Sequence, residues 1–363
     1  MSSSRKSWKK ALLAAGAAGI VVAPLLSGPA QATTDDAVLE VIATGLKNPR
    51  GVTALYDGTV LVAEAGEGLV GCAAGVQCAG ATGAIYKVKG STKGRVVTGL
   101  SSVAAGAATG APVIASGPVE VVPDPNGGYT YLSNFGGNRT TADRTALGAN
   151  AKTLGTLART RDGKILADLV DHETRLNPDG GDINANAMGF VRSGSGWLIT
   201  DAAANDVVRG ASDATTSTAY VLPKNQLANG TAAESVPTGI VKDWDGTLYI
   251  ADMSGGNVGA SRIWKVEPGK QPEVFVTGLT NVIDLEFDWK GDLLALTYSK
   301  STLMGPPSAG ALTEINTLTK AVHEIPTGDK LLQPTGLAVD AYGDVYVTNK
   351  TVGTSGELVK VHY

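Results

Sequence analysis

The feature that most constrains this chain is a stretch it repeats. PTGIVKDWDGTLYIADMSGG at residues 237–256 is matched in pattern by PTGLAVDAYGDVYVTNKTVG at residues 334–353. Four more segments follow the same scheme: NPRGVTALYDGTVLVAE from Asn48, GPVEVVPDPNGGYTYLSN from Gly117, NAMGFVRSGSGWLITD from Asn186 and NVIDLEFDWKGDLLALT from Asn281. Each reads as a leading turn, a short apolar strand, a polar turn closed by Gly, and a second apolar strand. DG, GG, SG and KG between β-branched runs are tight-hairpin signals. Counted from Asn48, Gly117, Asn186, Val236, Asn281 and Gln333, the starts lie 69, 69, 50, 45 and 52 residues apart. A four-stranded unit recurring at about 40–50 residues is the signature of a β-propeller.

Outer strands follow most of these hairpins. GAIYKVKG (83–90) with GRVVTGLS (94–101), GTLARTRDGKILADL (155–169), SRIWKVEPGKQPEVFVTGLT (261–280) and GALTEINTLTKAVHEIP (310–326) complete four units. The unit beginning at Asn186 is less regular, with DVVRG and STAYVLP. The last unit stops at its third strand, GELVKVHY, while LEVIATGL at residues 39–46 resembles the fourth strands VFVTGLT and RVVTGLS. The expectation is therefore all-β: six four-stranded antiparallel blades, with the N-terminal strand completing the last one. Such closure removes unpaired sheet edges.

Ahead of that strand, Arg5, Lys6, Lys9 and Lys10 precede the apolar run ALLAAGAAGIVVAPLL (11–26) and the small-x-small site Ala30-Gln31-Ala32. This is the pattern of a secretory signal peptide. The expected organisation is a signal over residues 1–32 and one propeller domain over 33–363, secreted to the extracellular space. No later run reaches the roughly 18–20 apolar residues of a membrane span. Removing the signal takes four of the 30 basic residues and none of the 34 acidic ones, leaving a net charge of −8. An acidic chain without basic patches is a poor match for nucleic acid. Cys72 and Cys78 are the two cysteines, closely spaced in a Gly/Ala loop, and in a secreted chain they read as a local disulfide.

TGLKNPRGV, LVAEAGEG with the following Cys pair, NPDGG (177–181), DAAANDVVR (201–209), VPTGIVKDWDGTLYIAD, VTGLTNVIDLEF and QPTGLAVDAYGDVYVTN together resemble the ScyD/ScyE family of secreted proteins, within the broader NHL-like six-bladed propellers. The resemblance covers most of the chain beyond the signal. It implies fold and secretion more than function, since the family lacks an established general activity. Where the family pattern resembles His-Asp, this chain has Val119-Glu120.

Candidate site residues come from comparing the repeats. The fourth positions are Gly51, Glu120, Gly189, Gly239, Asp284 and Gly336. The two acids lie three blades apart, so they face each other across the ring axis. Glu120 and Asp284 are candidate ligands for Ca²⁺ or another divalent ion in the central channel, because hard cations take oxygen ligands. The alternative is that each caps a neighbouring turn or meets Arg50. The second strands end in Glu64, Asn134, Asp201, Asp252 and Asn349, with Thr297 breaking the series. Gluconolactonase-like propellers hold a metal with such residue types, but Asp at this place also serves turns. Asp179, Asp182, Asn184 and Asn186 have a loose acidic spacing without the order of an EF-hand. Tyr56, Trp244, Trp289 and Tyr342 sit in the turns between first and second strands and would form an aromatic arc on the face opposite the leading turns.

Nucleophilic catalysis has little support. The histidines are His172, His323 and His362, and SGSGW (193–197) is a hairpin turn rather than a strand-to-helix elbow. The leading expectation is a monomeric extracellular propeller that binds a small molecule, glycan or protein partner. Its candidate contacts are Arg50, Glu64, Glu120, Asp201, Asp252 and Asp284. The runner-up is a metal-dependent hydrolase or lyase of lactonase type, and a third reading is an interaction scaffold using the aromatic arc.

Overall fold

The computed structural model describes residues 36–137, 139–303 and 308–363; the signal-like segment lies outside them. Asp35–Tyr363 forms one compact unit. It is a six-bladed β-propeller with antiparallel blades.

Blade 1 comprises Pro49–Ala54, Thr59–Glu64, Gln77–Lys89 and Thr92–Ala105, with Ala115–Ser116 as a short fifth strand. Blade 2 comprises Pro118–Pro123, Tyr129–Ser133, Thr156–Arg159 and Ile165–Asp168. Blade 3 comprises Ala187–Ser193, Gly196–Asp201, Asp206–Gly210 and Thr216–Val221. Blade 4 comprises Pro237–Lys242, Leu248–Asp252, Ser261–Val266 and Glu273–Leu279, and blade 5 Val282–Phe287, Leu293–Thr297, Ala311–Ile315 and Val322–Ile325. Blade 6 comprises Gly336–Val339, Val345–Asn349 and Gly356–His362, and its outermost strand is the N-terminal Val38–Leu46, paired antiparallel to Gly356–His362. That strand closes the ring as the repeat pattern predicts.

Two helices interrupt the pattern: α1 (Thr141–Ala146) within blade 2 and α2 (Leu169–Leu176) between blades 2 and 3. Asp168 caps α2 by accepting from the Asp171 amide at 3.0 Å, the usual way an orphan helix N–H is satisfied. Between blades the core is aliphatic, with Leu61, Leu132, Ile199, Ile250 and Leu285 essentially inaccessible. The second strands of blades 1 and 3, Thr59–Glu64 and Gly196–Asp201, are buried along their whole length, so they are apolar runs rather than alternating ones.

At the fourth repeat positions of blades 1 and 6 glycine is sterically required. A Cβ on Gly51 would stand 2.5 Å from the Val119 carbonyl oxygen, and one on Gly336 2.4 Å from that of Arg50. Inner strands of adjacent blades therefore meet backbone to backbone. Cys72 in the second-to-third connection of blade 1 forms a disulfide with Cys78 at the start of its third strand.

Candidate functional site

The first strands of the blades surround a central cavity of about 540 Å³. Its wall runs from Arg50 and Thr335 at one end to Pro125, Lys242 and Phe287 at the other. Val119, Met188, Phe190, Ile283 and Leu285 make much of it apolar. Against that background stand three carboxylates: Glu120, Asp284 and Glu286.

Two of them hold blades together. Glu120 Oε2 accepts the Phe190 amide of blade 3 at 3.0 Å. Asp284 Oδ2 accepts the Leu337 amide of blade 6 at 2.8 Å, and its Oδ1 accepts the Leu285 amide at 2.9 Å. The strand register explains why: a bulge at this position turns both side chains along the ring toward the next blade. Glu286 lies two residues beyond Asp284, on the same face of the strand, and accepts the Phe287 amide at 2.8 Å.

Burial dominates their electrostatics. It pushes Asp284 and Glu286 up to about 7, only partly offset by the backbone amides. It also raises Glu120 well above the usual carboxylate range, and the Asp284 charge across the channel adds to the rise. Among the described residues none of the three is in an ion pair. The cations lining the cavity are engaged elsewhere. Arg50 donates to the carbonyls of Thr351 (3.0 Å) and Ala115 (3.1 Å), and burial lowers its pKa to about 10. The Arg192 guanidinium stacks 3.9 Å from the Trp197 ring centroid. Lys242 Nζ donates to the Arg192 carbonyl at 2.5 Å.

The residues at the ends of the second strands do not join this group. Each ties its own blade to the leading turn: Glu64 accepts the Lys47 amide (2.7 Å), Asn134 that of Gly117 (2.8 Å), Asp201 that of Asn186 (2.6 Å), Asp252 that of Val236 (2.9 Å) and Asn349 that of Leu332 (2.6 Å). Glu64 also pairs with Arg95 at 2.7 Å and Asp252 with Arg262 at 2.8 Å. Asp179 shapes its own loop, accepting the Gly181 amide at 2.7 Å and the Asn205 side chain at 2.6 Å. His172 is buried against Thr216 and Thr218 of blade 3, not in the channel. The aromatic arc is open to solvent: Tyr56, Trp244, Trp289 and Tyr342 are 88, 94, 76 and 81% exposed.

Among the described residues, no group of three or more His, Cys, Asp or Glu is arranged to hold a metal. No helix among them is long and apolar enough to cross a membrane. Repeat comparison singles out Glu120 and Asp284 but not Glu286, although two-residue alternation from Asp284 places it on the channel face.

Fold and channel together define the class: a six-bladed propeller with an acidic, partly apolar central cavity. No protein-family profile matches the chain, and no curated protein matches it in sequence. Solved structures do match in fold. Virginiamycin B lyase from Staphylococcus aureus, in a catalytically inactive form with quinupristin, is 12% identical over 90% of this chain and 99% of its own, with a TM-score of 0.51. A protein of unknown function from Bacteroides thetaiotaomicron is 11% identical over 90% of this chain and 72% of its own, with a TM-score of 0.53. A gluconolactonase from Xanthomonas campestris is 11% identical over 90% of both chains, with a TM-score of 0.49.

Proposed function

We propose that the protein is a secreted, extracellular binding propeller that takes a small ligand bearing amine or hydroxyl donors into its central channel. One observation carries this reading: three half-buried carboxylates face a cavity of about 540 Å³ with no cationic partner among the described residues. Concave, mostly apolar sites with a few convergent polar groups are the usual form of a small-molecule site. A ligand ammonium would supply the charge that Glu120, Asp284 and Glu286 lack, while Phe190 and Leu285 cover its carbon skeleton. The signal-like segment, the disulfide and the resemblance to the ScyD/ScyE family support secretion.

Calorimetry with spermidine, glucosamine and glucose as probes tests the reading. The amine probes should bind, more tightly at pH 8 than at pH 5 because the channel acids ionise on the way. Asp284→Asn combined with Glu120→Gln should weaken binding at least tenfold. No binding by any probe, or binding indifferent to the double substitution, would overturn it.

A second reading is a metal-dependent hydrolase or lyase of lactonase type. It draws on the Glu120–Asp284 coupling across the axis and on Glu64 as a further acid. Those residues do not fit a metal as they stand: the channel acids are not gathered into a ligand group, and Glu64 is turned away into a pair with Arg95. Stoichiometric metal lost from the Glu120→Gln variant would favour this reading over the first.

A further inference from the structure

Away from the channel, blade 3 buries acids that no cation among the described residues offsets. Asp201 ends its second strand and stands directly across from Asp206, the first residue of the third. Glu173 comes in from α2. All three are 1% exposed or less. Among the described residues, neither oxygen of Asp206 nor Oδ2 of Asp201 has a hydrogen-bond partner, and Glu173 meets only the Asn184 backbone amide. Buried polar groups are otherwise almost always bonded, and buried charges are paired or ligate a metal.

Blade 4 shows what is missing. There Asp252 Oδ2 accepts from Arg262 Nε (2.8 Å), Ser235 Oγ (2.8 Å) and Trp264 Nε1 (3.0 Å). The strand registers place Arg262 where blade 3 has Asp206, and Trp264 where it has Val208. Ser235 corresponds to Ala185. Three donors are thus replaced by two apolar residues and a second acid.

No neighbouring cation takes their place. Arg175 pairs with Asp171 at 2.8 Å and Lys224 with Glu234 at 2.5 Å. His172 Nε2 is 3.8 Å from Asp206 Oδ2, but its ring nitrogens meet Thr216 and Thr218, and burial lowers its pKa. Asp179 adds a further negative field. It also lines a surface cleft of about 420 Å³ with Asp182, Asn205 and Glu234.

We propose that Asp201, Asp206 and Glu173 form a calcium site between α2 and blade 3, in which the ion stands where blade 4 holds its guanidinium. The donors are oxygens, and calcium accepts six to eight of them in flexible geometry, whereas magnesium demands a near-ideal octahedron. Asn177 ends α2 and Asn186 donates its backbone amide to Asp201, and each has a buried side-chain amide oxygen with no partner among the described residues. As they stand the three acids are not gathered into a ligand group among the described residues, so binding requires them to close on the ion. Amide oxygens and water complete the shell.

The test uses the mature chain stripped with chelator and titrated with CaCl₂ and MgCl₂ by calorimetry at pH 7.5, with melts alongside. One calcium per chain should bind in preference to magnesium. At about a hundredfold excess over Kd it should raise the melting temperature by roughly 5 °C. Asp206→Arg, which copies blade 4, should abolish the calcium heat and the calcium-dependent shift. Should that variant fail to fold, Asp206→Asn carries the same expectation. Asp284→Asn in the channel should leave the calcium response in place. No calcium heat with an unchanged melt would overturn the proposal. So would a response that survives both Asp206 variants or disappears with Asp284→Asn.

Discussion

Blades 3 and 4 share a backbone and differ in how they treat one buried carboxylate. In both, the aspartate closing the second strand accepts the amide that begins the blade: Asp201 from Asn186 at 2.6 Å, Asp252 from Val236 at 2.9 Å. That contact needs only one oxygen. The second oxygen receives a guanidinium, a hydroxyl and an indole N–H in blade 4, and no donor in blade 3. The repeat therefore conserves the bond that shapes the turn and lets the rest of the environment vary. Its turn chemistry is structural, and departures from it mark where another role can be sought.

The largest effect expected from this contrast is in blade 4. Arg262→Met would leave Asp252 buried without its cation, since the Arg262 side chain is only 7% exposed. Removing one partner of a buried pair costs about 3–5 kcal/mol. Denaturant unfolding should show a loss of that size, and a loss under about 1 kcal/mol would break the comparison. The opposite sign is expected in blade 3. In chelator at pH 8, Asp206→Asn should stabilise the chain by about 2 kcal/mol, because it removes a buried, unpaired charge. A loss of stability there would mean that Asp206 is already compensated within the protein.

Proton linkage sharpens the same point. Burial and neighbouring acids raise Glu173 to about 7 and Asp201 to about 6, and Asp206 well above its usual range. Carboxylates with raised folded-state values bind protons more tightly when native. Their contribution is thus complete below the unfolded range near pH 4 and is lost as pH rises through about 6 to 7. Stability in chelator should fall between pH 5 and 8, and saturating calcium should flatten part of that fall. His172, whose pKa is lowered, acts in the opposite sense at the acid end. Glu120, Asp284 and Glu286 in the channel push the same way as the blade 3 acids, so the measurement belongs in a Glu120→Gln, Asp284→Asn, Glu286→Gln background. A fall that calcium leaves untouched would assign the whole effect to protons.

The ring of hairpins was legible because each turn announces itself, and LEVIATGL betrayed the closing strand by its likeness to VFVTGLT. The long outer hairpin of blade 1 was not. GAIYKVKG and GRVVTGLS mark its turn end, but pairing continues through Gln77–Gly80 and Ser102–Ala105, a Gly/Ala-rich stretch whose one β-branched residue is Val103. Small residues are needed there because the preceding loop lies against the hairpin. A Cβ on Gly106 would lie 2.2 Å from the Ala73 carbonyl oxygen, and one on Gly80 2.2 Å from that of Gly68. The two channel acids stood out as departures from glycine. Asp206 and Glu173 did not, because one acquires meaning only from strand register opposite Asp201, and the other arrives on a helix that no repeat contains.

Blade 6 supplies the mildest test, and its smallness is informative. Its second strand ends in the neutral Asn349, opposite Glu357 across the sheet. The Asn349 amide group approaches Glu357 Oε2 at 3.5 Å, while Lys350 Nζ pairs with Oε1 at 2.7 Å. Lys350 is 46% exposed along its side chain, against 33% for Arg95 in blade 1 and 7% for Arg262 in blade 4. Exposed pairs contribute little because water already solvates both ions. Lys350→Ala should accordingly cost less than about 1 kcal/mol, Arg95→Ala more, and Arg262→Met most. If the three losses came out equal, burial would not be what sets the strength of these cations. The case that blade 3 needs one from outside would then weaken with it.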